Sequence, residues 1–151
     1  MKIKHIAIDI LPRLIWAIQG GVLFFVHHYI NYQPRLTDNL LLLIFGCSMM
    51  FSGTFCIIWV SRFLTKAVFT RELVVEGPYK YARHPMYVAI YIILIGVGLL
   101  FFSIPWFVIL LAFVPIWYID CQLEEKQMTD LHQQEYLDYK RRVGMFFSFR
   151  F

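Results

Sequence analysis

Eleven consecutive residues, Gly77-Pro78-Tyr79-Lys80-Tyr81-Ala82-Arg83-His84-Pro85-Met86-Tyr87, concentrate rings and cations directly before an uncharged apolar run. Ionisable rings at the edge of an apolar run are costly to keep dry, so such a cluster lines a pocket or faces water. A proline at a first helical turn lets His84-Pro85 start a helix. From that start His84 and Tyr87 are three residues apart and share a face. Arg83 is a permanent cation on the neighbouring face. A pocket lined this way suits a polar cofactor, because the rings can stack on a base or contact a sulfonium by cation–π attraction. Ordinary anchoring at a membrane surface competes with this reading. Taken singly, Tyr79, Lys80 and Tyr81 fit anchoring; Arg83-His84-Pro85 with Tyr87 does not, since anchoring needs neither histidine nor proline in that order.

A second polar cluster, Glu124-Glu125, follows the last apolar run. One carboxylate is suited to ribose hydroxyls or an ammonium group; both are equally suited to the solvated edge of an amphipathic helix. Physics alone leaves the two readings level. No metal site is expected. Adjacent histidines at a helix end, as in His27-His28, point in different directions, and they have no acidic or cysteine partner nearby in sequence. Cys47, Cys56 and Cys121 lack ligand spacing and read as small hydrophobes. Gly20-Gly21 and Gly96-x-Gly98 read as helix-packing positions rather than phosphate loops.

The elements that must position these clusters are apolar helices. Hydrophobic residues make up 60% of the 151-residue chain and charged residues 16%, against about half and a quarter in soluble domains. This predicts an all-α integral membrane bundle in one domain. Its predicted spans are about 10–29, 39–60, 84–103 and 105–123, and Arg13 must snorkel at the start of the first. No small-residue cleavage site ends the first apolar run, so that span is expected to stay. Ser103-Ile104-Pro105 sits where a tight hairpin would turn, which brings His84 and Glu124 to the same membrane face. Leu123, Met128, Leu131 and Tyr139 fall near helical spacing and predict an amphipathic helix over about 124–142. Phe146-Phe147-Ser148-Phe149 reads as an interfacial anchor. Of 14 Lys and Arg, only Arg35 falls in a loop on the other side, so both termini and both polar clusters are expected in the cytoplasm. The net charge of +4 then reports orientation, and no nucleic-acid partner is expected.

Gly77-Pro78-Tyr79…Arg83-His84-Pro85-x-Tyr87, a hairpin, then Glu124-Glu125…Glu135-Tyr136-x-x-Tyr139-x-x-Arg142-Val143 resembles the isoprenylcysteine carboxyl methyltransferase family, with its bacterial relatives and phospholipid N-methyltransferases. The resemblance covers 71–143. It implies S-adenosyl-L-methionine bound at the cytoplasmic face by Leu73, Val74, Tyr79, His84, Pro85, Met86, Tyr87 and Glu124, with Arg71 and Glu72 matched by position alone. It implies structural or pocket-supporting roles for Glu125, Tyr136, Tyr139 and Arg142, and a location in a bacterial inner membrane. Ala89, Gln133-Gln134 and Gly144 depart from the family pattern. So does Asp120, which stands where prenylcysteine-acting members carry arginine. A carboxylate acceptor would be repelled there and an amine tolerated.

The expected function is methyl transfer to a lipophilic small-molecule or lipid acceptor that enters from the membrane lipids. Arg83 is expected to position the acceptor head and Glu125 to act as general base. The alternative is a non-catalytic membrane scaffold that keeps the fold; it would need neither Arg83-His84-Pro85 nor Glu124.

Overall fold

A computed structural model describes the backbone of residues 2–30, 36–70 and 72–148, and the side chains of 14–29, 36–65 and 72–148. The expectations for Arg13, Arg35, Arg71 and Phe149 lie outside those side chains. Among the described residues all regular structure is helical. α1 (Lys2–Phe25) runs into a π-helical turn, Val26–Ile30; α2 is Leu40–Thr70. A short 3-10 turn, Gly77–Lys80, precedes α3 (Pro85–Phe101) and α4 (Ile104–Arg142).

Each boundary has a local cause. The Asn39 side chain caps α2 by accepting from the backbone N–H groups of Leu41 (3.0 Å) and Leu42 (3.4 Å). At the end of α3, Phe102 adopts a left-handed conformation (φ 43°), and the N–H of Ser103 donates to the Gly98 carbonyl at 3.3 Å. Pro105 then sits in the first turn of α4. The expected hairpin turn is thus present. The other bounds differ from the sequence expectation. α1 begins well before residue 10, and α2 continues ten residues past 60. No new helix starts at Glu124: α4 continues unbroken past it to a kink at Gln133 (φ 48°, ψ −120°), beyond which a last helical piece runs to Arg142. Leu131, assigned to the apolar face, is 71% exposed; Cys121, Glu125, Tyr136 and Tyr139 form the buried face instead.

The tightest seam joins α2 to α3. A Cβ added at Gly46 would lie 2.9 Å from the Gly96 carbonyl oxygen, and one at Gly53 would lie 2.8 Å from that of Ala89. Both pairs are spaced by seven residues, so two turns of backbone meet directly. Gly98 faces the other way, against Trp106 and Phe107 of α4. Gly20 and Gly21 take no part in packing: a Cβ at either meets nothing within 4 Å, contrary to the sequence expectation.

The α3–α4 hairpin is closed by ring donors. The Trp106 indole N–H donates to the Leu94 carbonyl at 2.8 Å and the Tyr91 hydroxyl to the Leu110 carbonyl at 3.3 Å. α1 lies against α4, where the Trp117 indole donates to Gln19 Oε1 at 2.7 Å and packs tilted against Trp16, with ring centroids 4.0 Å apart. Elsewhere the surface is strongly apolar, with Phe51 80% and Phe55 70% exposed. Residues 40–65 of α2 and the α4 helix are long and apolar enough to cross a membrane; Leu14–Tyr29 and Pro85–Phe101 are shorter apolar helices. Contiguous exposure of this kind belongs in lipid rather than water.

Candidate functional site

The site forms where the chain leaves the 3-10 turn and enters α3. Gly77 has φ 60°, and a Cβ there would strike the Phe63 ring, so this turn requires glycine. Pro85 occupies the first turn of α3 and leaves His84 as its N-cap residue. The segment after α4 returns as a strap across this entry. The Arg83 N–H donates to the Gly144 (3.0 Å) and Met145 (3.1 Å) carbonyls, the His84 N–H to the Met145 carbonyl (3.0 Å), and the Ser148 N–H to the Tyr81 carbonyl (2.8 Å).

Beneath the strap, Glu125 is buried and surrounded by donors. Arg83 contacts Oε1 through Nε and Nη2, both at 2.8 Å. Lys140 Nζ lies 2.7 Å from Oε2, and His84 Nε2 lies 3.4 Å from Oε1. Arg83 Nη1 donates to the carbonyls of Lys140 (2.9 Å) and Val143 (2.7 Å) at the end of α4. Burial alone would raise the Glu125 carboxyl, but hydrogen bonds from His84 and Lys140 and the Arg83 charge outweigh it and hold it down at about 2. For His84, burial opposes the charged ring, yet hydrogen bonds with Cys121, Glu124 and Glu125 raise it well above the usual range. Arg83 and Glu125 were both expected to work on the acceptor; the structure makes each the other's partner.

Glu124, one residue earlier, faces a different space. Its side chain is 33% exposed, with Oε2 3.3 Å from His84 Nδ1. Its Oε1 accepts from the Tyr87 hydroxyl at 2.6 Å, and the same hydroxyl lies 3.1 Å from Asp120 Oδ2. The hairpin thus joins Tyr87 to Asp120 and Glu124 across more than thirty residues of sequence. Tyr139, on α4, donates to the Tyr79 carbonyl at 2.7 Å and fixes the 3-10 turn against the helix.

A cavity of about 460 Å³ opens here. Leu73, Val74, Tyr79, His84, Pro85, Met86, Tyr87 and Glu124 all line it, as does Arg83, whereas Glu125 lies behind the wall. Trp16 and Gln127, which no motif marks, line it too, as does Met128, which the sequence placed only on an amphipathic face. Gln19 and Lys140 were also missed as partners of Trp117 and Glu125. A lone Gln19 inside an apolar run was a readable signal of a buried partner; nothing in local spacing marks Lys140. A second cavity, of about 290 Å³ and almost wholly apolar, lies between α3, α4 and the strap, lined by Tyr91, Ile95, Val114, Trp117, Phe146 and Phe147 among others. Among the described residues Tyr87 is the one side chain that lines both cavities. Among the described residues no group of three or more His, Cys, Asp or Glu could hold a metal ion.

The family model described as phospholipid methyltransferase matches residues 41–135, from the start of α2 to the last quarter of α4. The nickel-cobalt-cadmium resistance protein NccN of Alcaligenes xylosoxydans xylosoxydans is 31% identical over 90 residues, covering 60% of this chain and 42% of that protein. The chain therefore spans less than half the length of this relative. No solved structure matches.

Proposed function

Because the chain belongs to the phospholipid methyltransferase family, whose model covers residues 41–135, we propose that it transfers a methyl group from S-adenosyl-L-methionine to a lipophilic acceptor at the cytoplasmic membrane face. The observation that carries this reading is the meeting of two cavities of opposite chemistry at Tyr87. One is ringed and partly polar, as a charged nucleoside requires; the other is apolar, as a lipid chain requires.

The residues of the larger cavity fit the donor. Tyr87 and Trp16 offer ring faces to a sulfonium. Glu124 is open enough to accept from ribose hydroxyls or an ammonium. Leu73, Val74 and Met86 give apolar walls for a base, beside the Tyr79 ring. A bound sulfonium donor supplies an electrophilic methyl carbon, and the protein's task is alignment and exclusion of water. Arg83 and Glu125 act here as positioning residues: their ion pair ties the entry of α3 to the end of α4. A carboxylate held near pKa 2 is too weak a base to take a proton at neutral pH. Behind Tyr87, Asp120 and Glu124 place two carboxylates beside one hydroxyl. This favours a cationic or neutral amine head over a carboxylate.

Two measurements test the reading. Calorimetry in detergent should show S-adenosylhomocysteine binding that weakens roughly tenfold to a hundredfold in His84→Ala, the cost of one buried polar contact. Protein in vesicles of an ethanolamine phospholipid should label lipid from methyl-labelled donor and leave an added long-chain carboxylate unlabelled. Folded wild-type protein that binds no donor analogue would instead favour the scaffold reading.

A further inference from the structure

We propose that the Tyr87 hydroxyl, with the carboxylates of Asp120 and Glu124 behind it, is the proton outlet of the methyl-transfer site. The inference rests on the function proposed above and identifies the groups that activate the acceptor, a task the buried Glu125 clamp cannot perform.

Tyr87 has one hydroxyl proton and two carboxylate oxygens within reach, Glu124 Oε1 at 2.6 Å and Asp120 Oδ2 at 3.1 Å. It can donate to only one at a time, and the other oxygen then faces the hydroxyl lone pairs. Asp120 and Glu124 stand four apart on one face of α4, so their charges also repel. Asp120 is 1% exposed, and its Oδ1 has no hydrogen-bond partner among the described residues. A buried carboxylate oxygen without a donor is expensive. The trio is therefore one proton short. The other titratable groups that face it are His84, whose Nδ1 contacts Glu124 Oε2, and Cys121, buried beside Asp120 on α4. His84 is already committed between Glu124 and Glu125.

Position supplies the rest. Among the described residues Tyr87 is the side chain shared by the apolar and the polar cavity, and its hydroxyl lies on the polar side, 2.6 Å from Glu124 Oε1, so an acceptor head that passes the Tyr87 ring would meet it beside the donor. A protonated amine acceptor has no lone pair to attack with. It gives a proton to the Tyr87 oxygen while the tyrosine's own proton moves to Glu124 Oε1. The freed nitrogen lone pair forms the nitrogen–carbon bond as the carbon–sulfur bond breaks, and that electron pair leaves on a neutral thioether. Glu124 is partly exposed in the polar cavity and passes the proton to water. Asp120, buried 3.1 Å from the same oxygen, supplies the negative potential that draws the proton in and accepts from the hydroxyl once the acceptor's proton has replaced its own.

The test uses protein in vesicles of an ethanolamine phospholipid with methyl-labelled S-adenosylmethionine. Asp120→Asn and Tyr87→Phe should lower kcat by roughly a hundredfold or more, the usual size of a lost acid–base contribution. Asp120→Asn should change S-adenosylhomocysteine affinity by less than about threefold, because Asp120 does not line the donor cavity. Raising the pH, or adding a small amine base, should restore much of the Tyr87→Phe rate, which a merely structural defect would not permit. Should Asp120→Asn fail to fold, Glu124→Gln gives the same kcat readout from a partly exposed position. Wild-type turnover combined with variants that keep kcat within threefold and an unshifted pH profile overturns the proton outlet alone. A wild type that binds donor analogue but labels no lipid overturns the amine-acceptor reading and the outlet with it.

Discussion

Glu125 shows how burial converts a surface-looking pair of acids into two unlike groups. Next to each other in sequence, Glu124 is a third exposed and Glu125 almost fully buried among Arg83, Lys140 and His84. Glu125→Gln leaves these cations facing a neutral group. Breaking a buried pair in this way costs about 3–5 kcal/mol, so thermal unfolding in detergent should show a large fall in Tm. Glu124→Gln should change Tm little, about 0.5 kcal/mol or less in stability, while weakening donor binding. Unequal Tm effects in the opposite order would refute this division of labour. The same contacts set a pH dependence. Folding raises His84 from 6.5 to about 11, so its contribution is whole below 6.5 and is lost as pH rises toward 11. Folding lowers Glu125 from 4.5 to about 2, so its contribution is whole above 4.5 and is lost as pH falls toward 2. Stability should therefore peak between these limits, and Glu125→Gln should flatten the acid side of a Tm-against-pH curve.

Among the elements, α2 and α3 are joined by the closest backbone approach. It depends on Gly46, Gly53 and Gly96, whose backbones meet the facing helix without room for a Cβ. Gly96→Ala places a carbon 2.7 Å from the Gly46 carbonyl oxygen, a backbone atom that cannot rotate away. Overpacking of this kind costs typically 1–3 kcal/mol. Gly20→Ala meets nothing within 4 Å and should be neutral or stabilising by up to about 1 kcal/mol. Thermal unfolding of the two variants side by side checks the contrast, and equal effects would show that the seam is not close-packed. The sequence marked Gly20-Gly21 because adjacent glycines in an apolar run look like a packing face. Which side of a helix meets a neighbour is not written in that run; Gly46 and Gly53 carry the contact instead.

For the whole molecule, the exposed apolar belt and the family together make this a membrane protein. We propose four spans with both termini in the cytoplasm. At 17 residues, α3 is about the shortest helix able to cross the hydrocarbon core. The charge distribution drives the orientation, since 13 of 14 Lys and Arg lie outside the loop holding Arg35. A reporter fused after Phe151 should be active only if it functions in the cytoplasm, and one inserted near Thr37 only if it functions outside. The reverse pattern would invert the molecule and move both cavities to the other face.

Composition and charge by themselves determined that the chain is helical and apolar, because sixty per cent hydrophobic residues with so few charges cannot form a solvated surface. Motif order and the turn at Ser103 also determined that His84 and Glu124 end on one side of a hairpin, since two apolar runs joined by a tight turn must return to where they began. Tertiary structure alone decided which acid is buried. Glu124 and Glu125 differ by about 100° around α4, and only the strap beyond Val143 and the distant Lys140 make one of those directions an interior. It alone decided, too, that Asp120 shares a hydroxyl with Glu124, because the partner arrives from α3. Local spacing records faces of one helix; it does not record what another helix brings against them.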